Sequence, residues 1–154
     1  MLARRELSEA QVRTRLGRRE FATGEIDAAV ARLQEERALD DRRTALACAR
    51  TEAHVKRHGR RRALRTVEAL GIDRELARAA VAEVFGDLDE DALIVQALDR
   101  KLRPPSPKAT ARQGATVEGA LAGRLYRYLI AQGFDAGRVH AAIRSRLKNA
   151  VHDD

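Results

Sequence analysis

His54 and His58 stand four residues apart in a segment whose pattern predicts a helix, the spacing at which two imidazoles meet one metal ion. No carboxylate or thiolate is in register to join them, and Lys56, Arg57 and Arg60 would repel a cation. The pair therefore reads as part of a basic segment. Asp87, Asp89 and Asp91 resemble the opening of a calcium loop, but the glycine needed at the sixth position is Ala92 and the glutamate needed at the twelfth is Leu98. These acids suit the positive end of a helix instead. Cys48 follows two alanines in a run of small residues, where a lone thiol is a small core side chain. There is no glycine-rich phosphate loop, no Ser-His-Asp set and no pair of carboxylates in a cleft-like context. The expectation is a protein that is not an enzyme and needs no metal, nucleotide or other cofactor.

Chemistry carried by binding is better represented. The chain has a net charge of +7 and a pI near 10.4, which steers it towards polyanions or an acidic protein surface. Three stretches hold no acid at all. The first carries Arg13, Arg15, Arg18 and Arg19; the second carries Lys56, Arg57, Arg60, Arg61, Arg62 and Arg65. The third carries Arg100, Lys101 and Arg103, then Lys108 and Arg112. One such run is ordinarily a solvated face. Three in succession predict a basic strip that meets DNA or a nucleoprotein partner. Only Tyr126 and Tyr128 are available for stacking there, so base-specific reading is not expected.

The elements that would position these residues are helices. Sustained alternation of apolar and polar residues is absent, and apolar positions recur at helical spacing. A pattern is written three times: Leu16–Phe21–Val30–Leu33, Val67–Ile72–Val81–Val84 and Leu129–Phe134–Ile143–Leu147. Phe21 and Ile72 are 51 residues apart, and Ile72 and Phe134 are 62 apart. The last two copies share the steps Gly71-Ile72-Asp73 and Gly133-Phe134-Asp135. Repetition at this period indicates an all-α chain of tandem three-helix repeats in an elongated array. The expected units are 1–38, with its leading helix cut short, 39–86 and 87–154. All three prolines lie in Arg103–Pro107, so 103–118 is expected to be an insertion loop.

Within the units, Ser8 predicts a helix start, Thr23 or Asp27 a second, and Asp73 another. A helix from about Leu39 to His58 should bury Leu46, Ala49, Ala53 and Val55. The next should bury Leu64, Val67 and Leu70, leaving Arg61, Arg62 and Arg65 facing away. The third unit should use Leu93, Ile94, Ala97, Leu98 and Leu102, then Leu121, Leu125, Leu129 and Ile130, then Val139, Ile143 and Leu147. With no Trp and 3% aromatics, the large core side chains are expected to be Phe21, Phe85 and Phe134. One cysteine excludes an internal disulfide and fits a reducing compartment. No signal-peptide stretch or membrane span is seen, which predicts a soluble, cytoplasmic monomer.

Leu2-Ala3-Arg4-Arg5-Glu6-Leu7-Ser8-Glu9, followed by Val12 and Leu16, resembles the opening signature of the RecX regulatory proteins. Leu39-Asp40-Asp41-Arg42-Arg43, and Leu64 through Gly71-Ile72, are similar to that family's second segment. Leu129 through Gly133-Phe134-Asp135, with Val139 and Ile143, is similar to its closing module. Family members usually have aromatics where this chain has Thr44 and Cys48, and Gly-Pro where it has Gly59-Arg60. The resemblance implies a bacterial modulator that binds the RecA recombinase–DNA filament and restrains its ATPase and strand exchange in recombination, repair and the SOS response. From the residues alone, a helix-turn-helix-like protein acting directly on duplex DNA is the other reading.

Overall fold

The computed structural model describes residues 6–102 and 115–150. Among them are eight α-helices and no strand: α1 Glu9–Gly17, α2 Thr23–Glu35, α3 Asp41–Arg50, α4 Arg60–Glu68, α5 Arg74–Gly86, α6 Glu90–Leu102, α7 Ala115–Ala131 and α8 Ala136–Ala150. Five of the helix starts follow directly from side chains that can accept from first-turn amides. Ser8 Oγ accepts from Gln11 N at 3.2 Å, and Gln11 Oε1 accepts from Ser8 N at 3.2 Å. Asp40 takes Arg43 N at 2.9 Å, Asp73 takes Glu75 N at 2.9 Å, Asp89 takes Asp91 N at 3.0 Å and Asp135 takes Gly137 N at 2.9 Å. The start of α2 differs from expectation. Neither Thr23 nor Asp27 caps it; Glu25 reaches back to Ala22 N at 2.9 Å, and Asp27 pairs with Arg13 instead.

The helix expected to run to His58 ends earlier. After Arg50 the chain takes one π-helical turn, Thr51–Val55, closed by Lys56 N donating to Thr51 O at 3.0 Å. The extra residue in that turn shifts the register. Glu52 and Ala53 move to the inner side, and Val55 rotates out to 74% exposure, against the expectation that it is buried. Leu46, Ala49 and Ala53 are buried as their spacing predicts. In α4 the innermost residues are Ala63 and Val67, with Leu64 and Leu70 packed at the margin.

Apolar residues form two clusters. α3, α4 and α5 enclose Ala45, Leu46, Ala49, Ala63, Val67, Ala77, Val81 and Phe85, with Ile72 from the α4–α5 turn. α6, α7 and α8 enclose Ile94, Leu98, Leu125, Leu129, Val139 and Ile143, with Phe134 from the α7–α8 turn. Leu93, Ala97, Leu102, Leu121, Ile130 and Leu147 pack around the second cluster. α1 and α2 form a two-helix hairpin with Val30 buried. Phe21, expected in a core, is 48% exposed. Residues 103–114, including Arg103 and the prolines of the expected insertion, lie outside the described residues. The loop was expected to extend to 118, but α7 has already begun at Ala115.

The groups meet through one contact made twice. The turn between the last two helices of one group sits on the N-terminus of the middle helix of the group before it. At the first joint, the Ser8 hydroxyl at the start of α1 donates to the carbonyl of Leu70. Glu9 N donates to Asp41 Oδ1 at 2.8 Å beside it. At the second joint, Gly59 N at the start of α4 donates to Gln132 O at 2.8 Å, and Arg61 N to Gly133 O at 3.1 Å. The repeat spacing carries Ser8 to Gly59 and Leu70 to Gln132, so the joints occupy equivalent positions.

Glycine is required at both turns. Gly71 has φ +76° and Gly133 φ +91°, in the left-handed region where a Cβ is disfavoured. A Cβ on Gly71 would also lie 2.5 Å from Ala10 Cβ, and one on Gly133 2.5 Å from Arg62 Cβ. The position equivalent to these glycines in the first hairpin is Glu20, also left-handed at φ 63°. Its side chain could not enter a joint of this kind.

The cost of a side chain at the second joint is directly measurable. Gly133→Ala combines roughly 1–2 kcal/mol for the left-handed backbone with the displacement of α4. It should lower stability by about 2 kcal/mol or more in thermal or urea unfolding. Gly24→Ala, in an open helical position, should be neutral or stabilising by up to about 1 kcal/mol. Equal effects from the two would remove the joint's special requirement.

Candidate partner-binding surface

The thirteen basic residues singled out by sequence divide into three sets once placed. Six are held by other groups. Arg13 binds Glu9 at 2.7 Å and Asp27 at 2.5 Å, and its guanidinium pKa is raised chiefly by the hydrogen bond to Asp27. Lys56 meets Glu52 at 2.6 Å. Arg60 binds Glu90 at 3.1 Å and the Phe85 carbonyl at 3.3 Å, and lies 5.9 Å from the Phe85 ring centre. Lys101 lies 5.1 Å from the Tyr128 ring centre.

Arg61 and Arg62 were expected to face away from Leu64, Val67 and Leu70; they do, and on that side they meet the neighbouring group. Arg61 binds Asp135 at 3.2 Å, and Arg62 donates to Ala131 O at 3.3 Å and Gln132 Oε1 at 3.2 Å. Both belong to the second joint. They face away from the core of their own group, as the helical spacing requires, and the neighbouring group supplies their partners while leaving the Arg61 side chain 62% exposed. Asp135 is held below the usual carboxylate range, mainly by the backbone amides of Arg138 and Gly137, with Arg61 adding a smaller contribution.

Arg15, Arg18, Arg19, Arg57, Arg65 and Arg100 are exposed, and among the described residues none makes a hydrogen bond or ion pair. Two pairings matter. Arg57 and Arg100, from different groups, line one cleft of about 430 Å³ with Gln96 and Asp99. Arg15, Arg18 and Arg19 border another of about 420 Å³, floored by Leu7, Val12 and Leu16. Arg103 lies outside the described residues.

Sequence reasoning missed Glu52. It precedes the second acid-free run by one residue and is almost fully buried. Its carboxylate meets His58 Nδ1 at 2.6 Å and Lys56 Nζ at 2.6 Å, so a carboxylate does join the His58 segment. His54 stands apart: it lies in the π-turn, whereas His58 follows the turn centred on Arg57, which has φ 55°. Among the described residues no cluster of three or more His, Cys, Asp or Glu could hold a metal, and Asp89 serves as a helix cap. The only cue to Glu52 was its i, i+4 relation to Lys56. Burial pushes the Glu52 carboxyl up, but the hydrogen bonds from His58 and Lys56 outweigh it and leave the pKa lowered.

This is a tandem helical protein whose surface offers basic clefts. Residues 1–33 match the family model described as RecX, first three-helix domain, which supports a RecX family protein. Comparison with the curated proteins gave no match. The matched span includes α1 and most of α2, together with Leu7, Ser8, Val12 and Leu16. RecX is a regulatory, non-catalytic family. Among the described residues no helix is long and apolar enough to cross a membrane.

Glu52 gives this surface a testable pH dependence. Because its pKa is lowered on folding, its contribution is present above the ordinary glutamate value of about 4.3. That contribution is lost as pH falls through the lower, folded value. Glu52→Gln should cost about 1–3 kcal/mol at neutral pH, by removing the buried carboxylate that His58 Nδ1 and Lys56 Nζ share. It should also flatten the acid limb of a plot of unfolding free energy against pH. An acid limb with the parent's slope would place the responsible group elsewhere.

Proposed function

We propose that this chain binds the RecA recombinase–DNA filament and inhibits its ATPase, strand exchange and the recombination and repair activities that depend on them. The observation that carries the reading is the RecX match over 1–33. It is supported by a chain whose later helices are joined by the same contact used twice. On this reading residues 1–38, 39–86 and 87–154 are successive units of one array, acting as a monomer in the cytoplasm. The array would lie along the filament groove, with DNA or nucleoprotein meeting the unpaired cations Arg57, Arg65 and Arg100.

Inhibition of this kind requires no catalysis. Occupying the groove blocks incoming duplex and opposes the subunit motions of ATP turnover, to the extent that the chain prefers one filament state. Direct reading of duplex DNA by a helix-turn-helix unit is less well supported. The basic helix that would enter the groove, α4, has its first turn in the second joint, with Arg61 and Arg62 already engaged.

The test is recombinase ATP hydrolysis on single-stranded DNA with and without the full chain. The parent should slow turnover. The variant Arg57→Glu/Arg65→Glu/Arg100→Glu should remain folded, since exposed substitutions shift stability by about ±0.5 kcal/mol each. It should lose most of the inhibition, because reversed charge meets like charge on the filament. No effect of the parent protein on turnover contradicts the proposal. Full inhibition by the folded triple variant contradicts the placement of the contact.

A further inference from the structure

We propose that the outer faces of the three middle helices, α1, α4 and α7, form one strip that binds the phosphate backbone of duplex DNA without reading its sequence. The repeat spacings of 51 and 62 residues align four positions of each helix. Gln11, Arg62 and Arg124 are equivalent, as are Thr14, Arg65 and Arg127. Beside them come Arg15, Thr66 and Tyr128, and a turn further on Arg18, Ala69 and Ala131. These positions stand at i, i+3, i+4 and i+7, which is one face of a helix, and no acid occupies any of them. Arg15, Arg18, Arg65, Arg124 and Arg127 are exposed, and among the described residues none makes a hydrogen bond or ion pair. Arg124 and Arg127 lie outside the three acid-free stretches and emerge only from the repeat.

The joints make the three faces continuous. At the second joint Arg62, where the α4 face begins, donates at 3.3 Å to Ala131 O, where the α7 face ends. At the first joint Ala69, where the α4 face ends, lines a cleft of about 350 Å³ with Thr14, Arg15 and Arg18 of α1. The cations therefore follow one another over on the order of 30 Å, at about 1.5 Å per helical residue. A line of cations matches a linear polyanion. An acidic protein surface would need an apolar centre, and the large exposed hydrophobics among the described residues, Phe21, Val55 and Val95, are not on the strip. A single strand is held by stacking on aromatic rings. The strip offers only Tyr128, whose ring already meets Lys101 at 5.1 Å. The duplex backbone is stiff and densely charged, and guanidinium forks pair with its phosphate oxygens. α4 would lie along that backbone and enter no groove, in keeping with its first turn being held in the joint.

The inference goes beyond the recombinase reading and does not rest on it: its test holds the full chain and free DNA, with no recombinase. The probe is a fluorescent duplex of about 30 base pairs and mixed sequence, which outspans the strip at about 3.4 Å per step. Log affinity against log salt should fall with a slope of about −4, from the five unpaired arginines at roughly 0.9 each. Arg15→Gln/Arg18→Gln and Arg124→Gln/Arg127→Gln alter opposite ends of the strip. Each should weaken binding at least about tenfold and reduce the slope by about 2, with the circular dichroism unchanged. Arg78→Gln/Arg144→Gln makes the same change of net charge at exposed positions of α5 and α8. It should lower affinity by less than about threefold.

No duplex binding by the parent chain overturns the proposal. So does an equal loss in Arg78→Gln/Arg144→Gln, which would make net charge responsible and not the strip. If only one end's variant weakens binding, the three faces do not act as one surface and the proposal fails. If oligothymidylate of the same length displaces the duplex at equal or lower concentration, the occupant is a single strand. If polyglutamate of matched charge does so, the occupant is an acidic protein. Either result overturns the assignment to duplex DNA.

Discussion

Two glycine turns hold this chain together. At Gly71 and Gly133 the backbone is left-handed, and the next group's helix start comes so close that a single Cβ could not be accommodated. The close approach also satisfies the backbone. Amides at the start of a helix lack intrahelical acceptors, and carbonyls at the end of one lack donors. At the second joint the free amides of Gly59 and Arg61 meet the free carbonyls of Gln132 and Gly133. At the first, Ser8 performs the same office with its side chain, capping α1 while its hydroxyl reaches Leu70. Helix capping and assembly of the groups are thus one set of hydrogen bonds. In the first hairpin the equivalent position is Glu20, left-handed like the two glycines but carrying a side chain.

The joints also decide what the positive charge is free to do. An excess of seven positive charges invites a reading in which every basic run is a binding surface. Instead Arg60, Arg61 and Arg62 brace the second and third groups against each other, and Lys56 neutralises a buried carboxylate. Of the six singled-out cations left unpaired among the described residues, five border two clefts with different neighbours. Arg57 and Arg100 share a polar cleft with Gln96 and Asp99, while Arg15, Arg18 and Arg19 edge an apolar one.

Most of the helices were legible because their signals are local. Ser8, Asp40, Asp73 and Asp89 each precede an apolar repeat at helical spacing and cap the helix expected there, and Asp135 caps α8 in the same way. The Gly-hydrophobe-Asp steps marked the turns that became joints. What stayed hidden was set by neighbours distant in sequence. The face of α4 bearing Arg61 and Arg62 is solvated by helical logic, and only residues 131–135 reveal that both side chains have partners there. Val55 fell on the wrong side because a π-turn adds a residue without altering composition. Phe21 reads as core in the repeat and is 48% exposed, with no leading helix over it among the described residues. The basic site was legible as a set of residues and illegible as a surface, since pairing depends on acids up to 74 positions away.

Separate cores connected by narrow, repeated joints imply an elongated body, and small-angle scattering of the full chain tests this most directly. A compact chain of this length would have a radius of gyration of roughly 15 Å. The joints predict a value well above that, with a pair-distance distribution skewed to long separations. A radius near 15 Å with a symmetric distribution would mean that the groups fold back on one another, and the arrangement described here would be wrong.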